Sequence, residues 1–303
     1  MKPRPQCIRC VVNVRFREIL GMDSSEDVKF RAGVRLLGIA FEEFNRGDEL
    51  TYIATRIYHK LIKEFHEVKK YYERVKDRDI REALRILPSL EKLILKHAGY
   101  ESFLLAVKAS LVGNLFDTGV MEHTPPPTAS LLDAIRGARL AIDHTREFYE
   151  LVRKGGKTIL WLFDNAGEAI FDIPLINLLR SLGNRVIGVA KEEPGFQNDL
   201  TIGDALKAGL DKYLDSLVST GYPGSTIHLD KVGPEMKKLI SRSDIIVAKG
   251  MSHWEYLSEI DLGRPVYHLL VAKCSVIAEA LGVKRGSYIA LLRMPRQSLP
   301  RPT

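Results

Sequence analysis

One stretch constrains the fold more than any other: Thr158-Ile-Leu-Trp-Leu-Phe-Asp-Asn-Ala-Gly-Glu168. Its apolar and β-branched run, set between Gly156 and the polar pair Asp164-Asn165, predicts a central strand buried on both faces. The chain then turns at Gly167, and Glu168 opens a helical pattern that runs through Leu182 and stops at Gly183. Asp164 and Asn165 therefore fall at the carboxyl end of a strand, just before a helix. Open α/β sheets bind ligands at that edge. Two oxygen-bearing side chains there suit a hard metal ion. They equally suit an Asx turn joining strand to helix.

The chain changes period at Gly155-Gly156. After it, strand-like runs at 157–163, 185–190, 226–229, 244–248, 265–269 and 287–292 alternate with helical stretches. That alternation predicts an α/β fold with a doubly wound, mostly parallel sheet. Before it, the pattern is helical. Cys7-Ile-Arg-Cys10 heads one helix, and Ser24-Ser25 before Glu26-Asp27 caps another that runs to about Asn45. Further helices are expected over about 48–66, 69–86, 88–97 and 101–112, with a break at Pro88. Gly113-Asn114 then reads either as a helix end with Asn114 left-handed or as a buried polar turn. Pro125-Pro126-Pro127 is a stiff linker, with Thr128 or Ser130 capping a helix that carries Leu131 through Ile142. The expected organisation is a mainly helical domain over 1–125 and an α/β domain over 126–303.

Composition excludes more than it assigns. With 45% hydrophobic and 27% charged residues, the chain can bury a sizeable core. The net charge of +7 favours anionic ligands, but its basic residues are interspersed with acids and form no dense tract, so nucleic acid is not the expected partner. No signal peptide precedes the chain, and no apolar run reaches the roughly 18 residues needed to span a bilayer, so a cytoplasmic location and no membrane partner are expected. Three cysteines make no disulfide framework. Cys7 and Cys10 are half of a four-ligand metal site, a redox pair, or two cysteines on one helix face.

The chemistry gathers at the expected strand ends. These carry Asp164-Asn165, the segment Asn198-Asp199 with Thr201 and Asp204, Lys249-Gly250, and Lys273-Cys274. Acids that hold a metal and lysines that hold an anion make a phosphate-handling site. A P-loop, a dinucleotide glycine signature, HExxH and Gly-x-Ser-x-Gly are all missing.

In order and spacing, Cys7-x-x-Cys10, Gly113-Asn114-x-x-Asp117, Phe163-Asp164-Asn165-Ala-Gly167-Glu168, Asn198-Asp199-x-Thr201-x-x-Asp204 and Lys249-Gly250-x-x-x-Trp254 resemble the metal-dependent damage-control phosphatases. These are also called the domain of unknown function eighty-nine family. The resemblance covers nearly the whole chain, and the CxxC resembles a branch common in archaea and some bacteria. It implies a divalent ion (magnesium, manganese, cobalt or nickel) held by Asp164, Asn165 and Asp199. It also implies Lys249 and Lys273 on the substrate phosphate, and hydrolysis of small phosphorylated metabolites such as sugar phosphates or damaged phosphometabolites. Gly250, Asn114, Asp117 and Glu168 are further substrate-side candidates, and Cys7 with Cys10 a candidate second metal site or disulfide. His253 departs from the Asn expected there. A methyltransferase using S-adenosylmethionine, a non-enzymatic metal or phosphometabolite sensor, and a nucleic-acid binder are the competing readings. The physiological ester, native metal and oligomeric state are not written in any motif.

Overall fold

Among the described residues, seven strands build one sheet around the run from Thr158: β1 (Leu140–Asp143), β2 (Thr158–Leu162), β3 (Arg185–Ala190), β4 (Ser216–Ser219), β5 (Ile245–Lys249), β6 (Val266–Val271) and β7 (Tyr288–Arg293). The computed structural model describes residues 1–115 and 131–295. The spatial order is β1-β7-β6-β5-β2-β3-β4, and every neighbouring pair is parallel except β6 with β7. β2 is inner because both of its faces are apolar. Ile159 and Trp161 enter one core layer, Leu160 and Leu162 the other.

The first layer is covered by helices from both halves of the sequence. α1 (Pro5–Leu20), α2 (Glu26–Asn45), α3 (Leu50–Glu64), α4 (His66–Ile94) and α5 (Gly99–Gly113) precede the sheet. α6 (Leu131–Gly137), α7 (Thr145–Val152) and α8 (Glu168–Ser181) come next, followed by α9 (Ile202–Lys207), α10 (Pro234–Arg242), α11 (Gly250–Leu257) and α12 (Ser275–Ala280). The second half of α4 and all of α5 lie in the same apolar cluster as α8 and the sheet. α1, α2, α3 and the start of α4 have a core of their own, joined by Phe196 from the loop after β3. The apolar core thus runs from the helical half into the sheet, and the expected boundary near 125 lies outside the described residues, as do Pro125-Pro126-Pro127, Thr128 and Ser130. The opposite face is covered by α10 and α11.

The structure corrects the expected elements at three places. Pro88 sits inside α4 and does not end it. The stripe Ala83, Leu87, Leu90 and Ile94 continues across the proline, and its burial outweighs one missing backbone bond. Leu140–Asp143 is an edge strand, not the end of a helix. It pairs with β7, and His144 N donates to Ala290 O at 2.8 Å, so pairing overrides the local pattern. The fourth strand is β4, and residues 226–229 form a buried connection. There His228 meets Thr51 Oγ1 at 3.0 Å, so the alternating Ile227 and Leu229 come from packing and not from a ladder.

β2 has β3 on one side and β5 on the other. The chain winds from β2 outward to β4 and then returns to start again at β5. That reversal opens a crevice beyond the carboxyl ends of β2 and β5, where two loops leave in opposite directions.

Candidate active site

The floor of this crevice is made by the loops after β2 and β3. They are tied main chain to main chain: Leu200 N donates to Asp164 O at 2.7 Å, and Ala166 N to Asn198 O at 2.9 Å. Asn165 and Asp199 thereby form an isolated antiparallel bridge. Lys191 and Thr201 form a parallel bridge beside it, and Thr201 with Asp204 forms the capping box that starts α9. Asp164, Asn165 and Asp199 come together at 6%, 2% and 5% exposure, and all three line one cleft.

Side chains beneath fix the orientation of these groups. Asn165 Nδ2 donates to Asp164 Oδ2 and Glu168 Oε2, both at 3.0 Å. With its amino end so used, the carbonyl end of the amide is left for the cleft. Asn114 Nδ2 donates to the same two oxygens at 3.2 and 2.7 Å, and Asn114 Oδ1 accepts from Val271 N at 3.0 Å. Asn114 reaches this far because α5 lies close on α8: a Cβ at Gly113 would stand 2.6 Å from Phe171 Cβ. Asn114 is the C-cap of α5, as one reading had it, but at φ −65° and not left-handed, and it is buried and hydrogen-bonded as the other reading had it.

Lys249 is fully buried and does not line the cleft. Its ammonium contacts Glu168 Oε1 and Asp172 Oδ1 at 2.8 Å each and donates to Ser110 O at 2.9 Å. Trp161 Nε1 donates to the other Asp172 oxygen at 3.2 Å. Burial opposes the lysine's charge, but the carboxylates of Asp172 and Glu168 prevail and hold its pKa above the ordinary lysine value. Burial, with Glu168 beside it, raises Asp172 to about 6 against the pull of Lys249. Lys249 thus links the helix after β2 to the strand next door. Gly250, one residue on, takes φ +77°, and a Cβ there would fall 1.8 Å from Asp164 Oδ2. Only glycine lets the start of α11 lie against that carboxylate.

Lys273 is buried at 2% exposure just beyond β6, and Asp117 lies outside the described residues. His253 is buried, with Nδ1 3.0 Å from Lys249 O, and burial pulls its pKa well below the usual histidine value. A lysine that the sequence reading passed over lies closer to the floor. Lys191 Nζ donates to Ser225 O at 3.0 Å and stands 3.8 Å from Asp199 Oδ2. Burial lowers its pKa, with Asp199 and Asp164 opposing. The signal was there to read, since β3 ends Ala190-Lys191 as β5 ends Ala248-Lys249.

The far wall of the cleft comes from α1, α3, and the starts of α11 and α12. It brings Cys7, Cys10 and Cys274 to one opening, with Glu255. The three cysteines form no disulfide. Among the described residues, no group of three or more His, Cys, Asp or Glu side chains is arranged to hold a metal. The floor pairs two carboxylates, Asp164 and Asp199, with the amide of Asn165. Burial raises Cys274 to about 12 and Glu255 to about 7, the latter against the pull of the amino terminus. The cleft holds about 120 Å³ of water-accessible space, enough for a small group and continuous with solvent. Among the described residues no helix is long and apolar enough to cross a membrane.

Comparison with known proteins adds the following. A model of the damage-control phosphatase ARMT1-like domain matches residues 4–289. A damage-control phosphatase of Archaeoglobus fulgidus is 32% identical over 292 residues, spanning 96% of this chain and 99% of that protein. Another from Pyrococcus horikoshii is 29% identical over 293 residues, spanning 96% and 98%. The crystal structure of a DUF89 family protein from Pyrococcus horikoshii aligns with a TM-score of 0.82 at 27% identity, covering 96% of this chain and 99% of that one.

Proposed function

Because the chain belongs to the damage-control phosphatase ARMT1-like family, we propose that its cleft hydrolyses phosphate monoesters of small metabolites with a divalent cation held by Asp164, Asn165 and Asp199. Damaged phosphometabolites and sugar phosphates are the expected substrate class. One observation carries the reading: two carboxylates and an amide meet at the switch point of a parallel sheet, on two loops bonded to each other. This donor set is all oxygen, which suits magnesium, manganese, cobalt or nickel.

Asp164 and Asp199 would supply the charge that holds the ion, and the Asn165 carbonyl would complete the set without adding charge. A divalent cation held there would supply Lewis acidity for phosphoryl transfer. Asn114 and Glu168 keep Asp164 and Asn165 from turning away. The first N–H groups of α11, beginning at Gly250, offer main-chain donors to an anion at the cleft. Lys191 beside Asp199 offsets negative charge at the floor, and buried Lys249 anchors Glu168 from below. Lys273 remains a candidate for the phosphoryl side, and Asp117 for the leaving-group side.

The test is phosphate release from p-nitrophenyl phosphate by metal-stripped protein, with magnesium, manganese, cobalt and nickel added back separately. Restored turnover is expected, and Asp199→Ala is expected to lose about 10²-fold or more. Turnover that is indifferent to both metal and Asp199 would overturn the assignment.

A further inference from the structure

The helical half also contributes to the cleft, through a buried arginine that its protein surroundings do not satisfy. Arg15, on α1, is 2% exposed. Its Nη2 meets Glu18 Oε1 at 2.6 Å, and its guanidinium carbon lies 5.0 Å from the Tyr58 ring centroid and 5.7 Å from that of Phe196. Its Nε–H has no hydrogen-bond partner among the described residues. Buried polar groups are normally paired, and a guanidinium carries several donors in a fixed fork. The contact with Glu18 engages Nη2 and leaves the buried Nε–H unpaired.

Position adds to this. Arg15 lines the same cleft as Asp164, Asn165 and Asp199, and it is the only cationic side chain to do so among the described residues. Lys249 and Lys191 are turned to their own buried partners. Arg15 is also coupled to the floor. Phe196, under its guanidinium, begins the segment that ends in Asp199, and Gln197 Nε2 contacts Glu18 Oε1 at 3.5 Å. Asp199 N in turn donates to Phe196 O at 2.9 Å.

Resting on the phosphatase reading above, we infer that Arg15 is the substrate-binding cation of this cleft, its guanidinium fork gripping the phosphoryl group opposite the floor. Glu18 and the Tyr58 and Phe196 rings hold the fork in place. An arginine suits this task because its planar donors match phosphate oxygens in pairs.

The test uses Arg15→Met/Glu18→Gln, which removes both buried charges together, beside Arg15→Lys and Glu18→Gln alone. Calorimetry with manganese alone checks the floor, and titration of inorganic phosphate into the manganese-loaded protein reads the proposed contact. Manganese affinity is expected to stay within about twofold, while phosphate affinity and KM weaken by about 10–100-fold in the double variant, the range of a charge-assisted contact. Arg15→Lys should recover part of the loss. Phosphate affinity and KM unchanged in a double variant that binds manganese normally would overturn the role of Arg15 and leave the phosphatase reading standing. A wild-type protein that neither binds nor releases phosphate would overturn both.

Discussion

Gly250→Ala probes the site through a single methyl group. The residue takes φ +77°, where a side chain costs about 1–2 kcal/mol. The new Cβ would lie 1.8 Å from Asp164 Oδ2, 2.3 Å from Cγ and 2.8 Å from Oδ1. That is about 1.5 Å short of an ordinary contact. Asp164 cannot swing aside cheaply, because its Oδ2 accepts from both Asn114 and Asn165. Either the carboxylate leaves its two donors or the start of α11 backs away, at a further cost of about 1–3 kcal/mol. The total is about 2–5 kcal/mol of stability, read from the urea midpoint. Activity should fall further than stability implies, since displacing a reacting group by about 1 Å costs about 10²-fold. Manganese affinity by calorimetry should fall with it. A Gly250→Ala protein with wild-type manganese affinity and turnover would refute the placement of Asp164 in the metal site.

Two further substitutions test the groups beneath and beside the floor. Lys249→Met leaves Glu168 and Asp172 buried without their cation and is expected to cost about 3–5 kcal/mol in urea unfolding; a change under about 1 kcal/mol would contradict the ion cluster. Glu255 is an acid whose pKa is raised in the folded state, from 4.5 to about 7. The folded protein keeps a proton that the unfolded chain releases, so stability should fall as pH rises through that window. Glu255→Gln should flatten the thermal midpoint between those pH values, and parallel profiles for wild type and variant would exclude Glu255 as the source.

Much of the floor was legible because its signals are local. A buried strand that ends in Asp164-Asn165, with a helix directly after it, fixes the position of both residues along the sheet. The glycine at 250 was legible too, and packing adds a reason that sequence could not supply: the neighbouring Asp164 forbids a Cβ. The partners of Lys249 were hidden for the same cause. Sequence puts a lysine at a strand end, but only the packing of α5 and α8 places Ser110, Asp172 and Glu168 around it. Arg15 was invisible, because its significance depends on α1 meeting the loop after β3, contacts separated by most of the chain. The edge strand at 140–143 was missed because four residues carry little pattern and owe their form to β7.

The bridge between Asn165 and Asp199 has a consequence for descent. The backbone of the floor is held by main-chain bonds between two loops, whereas much of the opposite wall comes from α1 and α3, helices with a core of their own. On the proposed function, reaction and choice of substrate are therefore inherited through different parts of the gene. Apart from Arg15, the cleft positions of α1 can drift with little effect on the floor. Relatives that share the floor can thus diverge in diet while keeping one chemistry.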